Sequence, residues 1–488
     1  MSRVEELIAG FKAQFASKLI AAIAGAFLIA ALARLLQPQG YGTFMLALTI
    51  FSIFELIARL GIANSAGRYI AEFKEKQPGQ IPHIVRFSLL FNLGAIALTS
   101  LVVLVSYEYI IAILGEPELA PFLIVGTVLL IIGTVETYLI KVLQGFEAIR
   151  FIAILKMANP ISRVVFALGL VVAGFGAIGA YVGYIISAIL TVMLGAGYLV
   201  FRLRNVGGGN PPMESGLRRR IAEYAIPLTA TNSASILDKR VDTLLVGFFL
   251  SPIEVGFYVL SDRVVKFLET PMDALGFTIS PMFGSEKAAG NIDQISRIYE
   301  TTLVNSMLIY IPAAAGVVLV AEPLITLVFG TEYTGAAIIL QVLSLFIIFK
   351  AITKQTDNGL NYLGRARDRA IYKGITAVLN VILNIILIPI FGVVGAAIAT
   401  VITYGLYTAS NLYIVSLELE LRPAYLTKQI LLITLITGVM SAVVFTVNGY
   451  ISGWITLFLV VGTGVLVWLV LSIASGMLDI REVVSTFG

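Results

Sequence analysis

The residues of this chain that could do chemistry are ionisable groups set inside long apolar runs. Asp262, Lys266, Glu269 and Asp273 recur at steps of 4, 3 and 4, which puts them on one face of a helix, with Arg263 on its flank. Ser52, Glu55 and Arg59 follow the same spacing, as do Thr231, Ser235, Asp238 and Asp242, with Lys239 and Arg240 beside them. Arg34, Arg163 and Lys350 stand in further apolar runs. An ionised side chain at mid-bilayer costs roughly 2.5–3.5 kcal/mol on insertion scales, so such groups usually face a wet pathway. Guanidinium forks suit a bound anion such as a phosphate or pyrophosphate, and carboxylates suit a coupling H⁺ or Na⁺. Arg34, Arg59, Arg163, Arg240, Arg263 and Lys266 are therefore candidates for binding an anionic headgroup. Glu55, Asp238, Asp242, Asp262 and Glu269 are candidates for ion coupling.

Several of these groups also have a simpler reading. Arg34 lies near an outer helix end and also reads as a snorkelling anchor, as do Lys141, Lys156 and Lys354 near cytoplasmic ends. Asp238 with Lys239, and Asp262 with Lys266, also read as pairs that neutralise one another. Asn380 and Asn384, four residues apart, read as hydrogen-bonding contacts between helices. Pro227, Pro312 and Pro389 read as tolerated kinks, and Pro271, among the charges, as a hinge. His83 falls in a loop and reads as solvated.

What is missing narrows the chemistry. The chain has no cysteine and one histidine, which excludes disulfides, thiolate metal sites and a Cys-His nucleophile. No G-x-x-x-x-G-K-[ST] phosphate loop is present, and no Asp-x-Asp pair. No extramembrane stretch could house a nucleotide-sugar domain. The expectation is a protein that is not an enzyme, with no cofactor beyond a coupling H⁺ or Na⁺, and no metal site.

The elements that must position these charges are membrane helices. Apolar residues make up 58% of the 488 positions and charged residues 13%, too few charges to cover a soluble domain, in which about a quarter of residues are charged. A span needs roughly 20 mainly apolar residues, and about fourteen windows qualify: 17–36, 42–62, 87–107, 121–143, 152–174, 178–201, 225–250, 255–279, 301–321, 336–356, 372–391, 393–415, 427–447 and 454–474. Basic residues alternate between the connections. Arg68, Lys74, Lys76 and Arg86, then Arg150, Arg202 to Arg220, Lys287 and Arg297, Arg365 to Arg369, and Arg422 all fall on one side, which the positive-inside rule makes cytoplasmic. Both termini are then cytoplasmic. No cleavable signal peptide is read at the start.

The chain also matches itself at a shift of 214 to 216 residues. Leu36-Gln-Pro38-Gln-Gly-Tyr-Gly42 pairs with Leu250-Ser-Pro252-Ile-Glu-Val-Gly256, and Phe175-Gly176-Ala-Ile-Gly179-Ala180 with Phe391-Gly392-Val-Val-Gly395-Ala396. The expected organisation is an N-terminal six-helix lobe over 1–201, a basic linker over 202–224, a second six-helix lobe over 225–415, and two extra helices with a tail over 416–488. Transporters built from repeats hold substrate between them near the midplane. The charged stripes are expected to line such a cavity.

Arg34-Leu-Leu-Gln-Pro38-Gln-Gly-Tyr-Gly42, Gly61-Ile-Ala-Asn-Ser-Ala-Gly-Arg68-Tyr-Ile-Ala, and Glu322-Pro-Leu-Ile-Thr-Leu-Val-Phe-Gly330-Thr-Glu-Tyr333 resemble the polysaccharide-biosynthesis flippases of the multidrug/oligosaccharidyl-lipid/polysaccharide exporter superfamily. The resemblance spans the chain, and its motifs mark helix ends more than substrate. It implies two six-helix lobes around a V-shaped cavity with alternating access, and movement of a polyprenyl- or dolichyl-(pyro)phosphate-linked oligosaccharide to the outer leaflet. It also implies a cavity lined with basic residues from spans 1, 2, 7 and 8, which Arg34, Arg59, Arg240, Arg263 and Lys266 match by placement.

Three functions compete at this stage. The first is such a flippase, whose partners are membrane lipid, the lipid-linked oligosaccharide and, functionally, glycan-assembly enzymes, in a monomer that binds no nucleic acid. The second is a drug or organic-cation antiporter, which wants an acid-dominated cavity rather than buried cations. The third is a scaffold or glycan polymerase, for which the outer connections, about fifteen residues at most, are too short.

Overall fold

The computed structural model describes the backbone of residues 3–478 apart from 208 and 210. It describes the side chains of 17–478 apart from 208, 210, 230–239, 270, 271, 273–281, 284 and 288. The described residues form helices and connections, with no strand. In order these are α1 (Arg3–Arg59), α2 (Ile62–Lys76), α3 (Ile81–Leu114), α4 (Ala120–Gly145), α5 (Ile149–Leu170), α6 (Gly176–Arg204), α7 (Leu217–Phe249), α8 (Pro252–Ala288), α9 (Ile292–Phe329), α10 (Ala336–Tyr362), α11 (Ala366–Phe391), α12 (Val393–Glu418), α13 (Pro423–Asn448) and α14 (Trp454–Ala474).

Among the described residues, ten stretches are long and apolar enough to cross a membrane. Two of them, 17–59 and 149–204, run to 43 and 56 residues, enough for two crossings each at roughly 20 residues per crossing. Ile455, Phe458 and Phe445 are 78%, 68% and 71% exposed. Such apolar surface would be expelled by water but matches acyl chains. The chain is a multi-pass integral membrane protein.

Local chemistry explains where the helices break. The first two apolar windows share α1, which is interrupted only at Gln37 (φ 56°, ψ 173°). Pro38 supplies the cause, because its ring excludes the helical region for the residue before it. The connection after Arg59, read from sequence as a loop, instead turns at Leu60 (φ 38°) and Gly61 (φ 65°) into the short helix α2. Gly176 (φ 55°, ψ −146°) opens α6 and Gly392 (φ 60°, ψ −148°) precedes α12. Their shared left-handed backbone lies 216 residues apart (392 − 176), at the self-match of the sequence.

Two compact units are seen, Met1–Gly256 and Phe257–Gly488. In the first, α1 packs on α3, α4, α5, α6 and α7, while α4 and α5 each pack on α6. In the second, α9 packs on α10, α13 and α14, while α10 and α11 each pack on α12. Within the first unit the two motif segments touch reciprocally. A Cβ on Gly42 would lie 1.7 Å from the Pro252 carbonyl oxygen, and one on Gly256 would lie 3.2 Å from the Pro38 carbonyl oxygen. Positions 42 and 256, and 38 and 252, are each separated by 214 in sequence. In the second unit, buried Glu300 accepts from Arg422 Nε at 2.8 Å, fixing the start of α13 against α9.

The segment before α7 is tied down rather than loose. Buried Gln80 donates from Nε2 to the Pro212 carbonyl at 2.8 Å and accepts from the Glu214 N–H at 3.0 Å. His83 does not sit in solvent as the sequence suggested. It stands in the first turn of α3 and its Nε2 contacts the Pro211 carbonyl at 2.8 Å. Ser65 and Tyr69 of α2 donate to the carbonyls of Ile221 and Arg220. Gln80→Ala leaves two backbone groups without these bonds, at about 1 kcal/mol each. Tryptic cleavage at Arg204 and Arg218–Arg220 is expected to speed up about tenfold in the purified variant. An unchanged cleavage rate contradicts this role for Gln80.

Candidate functional site

The first unit gathers charges from four helices around Glu55. Glu55 and Arg59 lie four residues apart on α1, and their spacing produces an ion pair, Arg59 Nη2 to Glu55 Oε2 at 2.7 Å. The side chains are 21% and 35% exposed, so this pair is more than a screened surface contact. The carboxylate lies against α4. A Cβ on Gly133 would stand 3.2 Å from Glu55 Oε1, so the glycine leaves room for it. The charges of Arg163 on α5 and Arg240 on α7 also bear on Glu55.

One turn along α4 from Gly133 stands Glu136, which the charges of Arg163, Arg59 and Glu55 all reach. Its Oε1 accepts from Asn159 Nδ2 on α5 at 2.8 Å. Asn159 is held in turn by a buried ladder between α5 and α6: Nδ2 to Thr191 Oγ1 at 3.3 Å, its carbonyl accepting from Ser187 at 2.7 Å, and Ser162 to Ser187 at 2.6 Å. Arg163 places its guanidinium 4.6 Å from the Tyr184 ring centroid, within cation–π range. Among the described residues, the charges of Arg59, Arg163 and Arg240 act on Glu55, and those of Arg59 and Arg163 also on Glu136. In a medium of low dielectric, guanidinium groups gathered in this way draw in an anion.

The second unit has its own cluster. Lys266 forms an ion pair with Asp262, four residues before it on α8. Glu269 Oε2 lies 3.7 Å from Lys350 Nζ on α10. The ammonium groups of Lys350 and Lys373 stand 4.9 and 4.4 Å from the Tyr404 ring centroid. Asp357 accepts from Tyr407 and Asn411, each at 2.9 Å, and lies 3.5 Å from Arg369. In sequence number, Glu55 and Glu269, Glu136 and Lys350, and Asn159 and Lys373 are each separated by 214. The contact between Glu269 and Lys350 therefore replaces a neighbouring pair of carboxylates in the first unit.

The sequence-derived candidates fall out as follows. Glu55, Arg59, Arg163 and Arg240 come together. Arg34 is exposed on α1, three residues before the Gln37 break. Asp242 is half-buried on α7. Arg263 is half-buried on α8, and its Nε has no hydrogen-bond partner among the described residues. Asp238, Lys239, Asp273, Thr231, Ser235 and Pro271 lie outside the described side chains. Asn380 donates to Thr403 Oγ1 across α11 and α12 at 3.4 Å, the interhelix role read for it. Sequence reasoning missed Glu136, Asn159, Asp357 and Lys373. For Glu136 the signal was present: a lone carboxylate deep within the apolar window 121–143.

Comparison with known proteins follows the same direction. The model of a family described as polysaccharide biosynthesis protein matches residues 31–338. The chain is 25% identical over 439 residues, 89% of each chain, to the probable low-salt glycan biosynthesis flippase Agl15 of Haloferax volcanii. Its fold is similar to that of the lipid II flippase MurJ in an inward closed conformation, with TM-score 0.72, 17% identity, and 94% and 97% of the two chains covered. It is also similar in fold to an inward-facing multidrug resistance MATE transporter, with TM-score 0.69, 16% identity, and 83% and 95% covered.

Proposed function

Since the chain belongs to the polysaccharide biosynthesis protein family, among the flippases of the multidrug/oligosaccharidyl-lipid/polysaccharide exporter superfamily, we propose that it carries a polyprenyl- or dolichyl-(pyro)phosphate-linked oligosaccharide from the cytoplasmic to the outer leaflet of the cell membrane. The product serves surface polysaccharide or glycoprotein glycan assembly. The observation that carries this reading is the gathering of arginines from three helices on Glu55: the charges of Arg59, Arg163 and Arg240 all act on its carboxylate. A phosphate or pyrophosphate takes the bidentate fork of a guanidinium, whereas an organic cation would be repelled. The relative named as a glycan biosynthesis flippase supports the same substrate class.

In this reading fourteen spans hold two six-helix halves whose alternating access moves the headgroup, while the lipid tail stays in the bilayer. Arg34, Arg263 and Lys266 extend the cationic lining along its route. Carboxylates among Glu55, Glu136, Asp238, Asp242, Asp262 and Glu269 take up the coupling H⁺ or Na⁺. The protein acts as a transporter and catalyses no covalent change.

The test is a deletion strain. Lipid-linked sugar is expected to accumulate on the inner leaflet, with loss of the mature glycan outside and restoration by the wild-type gene. A deletion strain with normal glycan, together with resistance to cationic dyes on overexpression, would overturn the reading in favour of an organic-cation antiporter.

A further inference from the structure

One helical turn from Glu55 on α1 packs a tyrosine whose hydroxyl has no hydrogen-bond partner among the described residues. Tyr181 of α6 is fully buried. Its ring is held by Phe44, Phe51 and Phe122 at centroid distances of 5.9, 6.4 and 5.6 Å. Phe51 precedes Glu55 by four residues, so the tyrosine packs on the same face of α1, one turn from the carboxylate. The Tyr181 hydroxyl makes no hydrogen bond among the described residues, although the charge of Glu55 acts on it. A buried hydroxyl without a partner is unfavourable, so its place here calls for a reason.

The repeat sharpens the point. In the second unit, Glu269 has Lys350 as a cation on the neighbouring helix. In the first unit that position is Glu136, and Glu55 accepts instead from Arg59 on its own helix. Glu55 therefore occupies the guanidinium that an anionic headgroup needs.

We propose that the Tyr181 hydroxyl is the second seat of Glu55: a phosphate-bearing headgroup that takes Arg59 displaces the carboxylate, which then accepts a hydrogen bond from Tyr181. This rests on the reading of Arg59 as an anion-binding residue. Glu55 acts as a resident counter-ion, holding Arg59 in place until substrate arrives. Tyr181 is a positioning residue, acting on the headgroup through Glu55. The gap left by Gly133 gives the carboxylate space to turn.

The probe is inorganic pyrophosphate titrated calorimetrically into the purified full-length protein. Tyr181→Phe is expected to weaken binding about tenfold, the worth of a hydrogen bond to a charged group. Its thermal midpoint is expected to stay equal or rise, because the unpartnered hydroxyl is gone. Glu55→Gln is expected to tighten binding, and in that background Tyr181→Phe is expected to change it by less than about twofold, the sign of an action through Glu55. Unchanged binding in Tyr181→Phe overturns the proposal, as does a full tenfold loss persisting in the Glu55→Gln background. If the wild type binds no pyrophosphate, the anion-binding reading of Arg59 falls and this inference falls with it. Binding by the wild type with an unchanged variant removes the Tyr181 role alone.

Discussion

Arg163→Ala is expected to abolish glycan export, with a fall in transport of about a hundredfold or more, while the protein accumulates at its normal level. The charge of Arg163, like that of Arg59, reaches both half-buried carboxylates of the first unit, Glu55 and Glu136. Its removal leaves that pair with less compensation and takes away a fork for the phosphate. Arg163→Lys is expected to recover only a small part, because an ammonium keeps the charge but loses the planar, bidentate fork that suits a phosphate. The check is surface glycan in a complemented deletion strain, with membrane protein level followed by immunoblot. Full export by Arg163→Ala at equal level would remove Arg163 from the site.

The second large effect is on the fold. Gly42→Ala is expected to destabilise the purified protein by about 3 kcal/mol, because its Cβ would stand 1.7 Å from a backbone oxygen, that of Pro252. Neither partner is the end of a flexible side chain, so α1 and α8 must separate. In lipid, where apolar burial drives helices together only weakly, such close approach of small residues supplies much of the packing. Gly256→Ala, whose Cβ would meet Pro38 at 3.2 Å, is expected to cost less. Gly25→Ala, with nothing within 4 Å, is expected to be neutral. The graded order of thermal midpoints is the measurement; three equal midpoints contradict the reciprocal contact.

Much of this architecture could be read from residue order because its signals are local. Apolar run length determines where a membrane helix can lie, and the windows fall mostly on helices, though 42–62 crosses the Leu60–Gly61 turn and 152–174 runs past the end of α5. Helical spacing pairs Glu55 with Arg59 and Asp262 with Lys266. What was not legible depends on contacts distant in sequence. Glu136 becomes part of a site only because α4 and α5 bring it to Asn159, 23 residues away. His83 looked solvated until the segment before α7 folded back over α3. The Gln37 break replaced an expected loop because one proline suffices to turn the chain between two helical limbs.

The central claim is that the arginines around Glu55 pass an anionic lipid headgroup across the bilayer. It is tested most directly in vesicles containing the purified protein and a fluorescent polyprenyl diphosphate disaccharide, with dithionite added outside. Wild-type vesicles are predicted to lose nearly all fluorescence, and vesicles with Arg163→Ala only about half, the share of the outer leaflet. Equal protection of the inner-leaflet probe with and without the wild-type protein, or complete bleaching with Arg163→Ala, would contradict it.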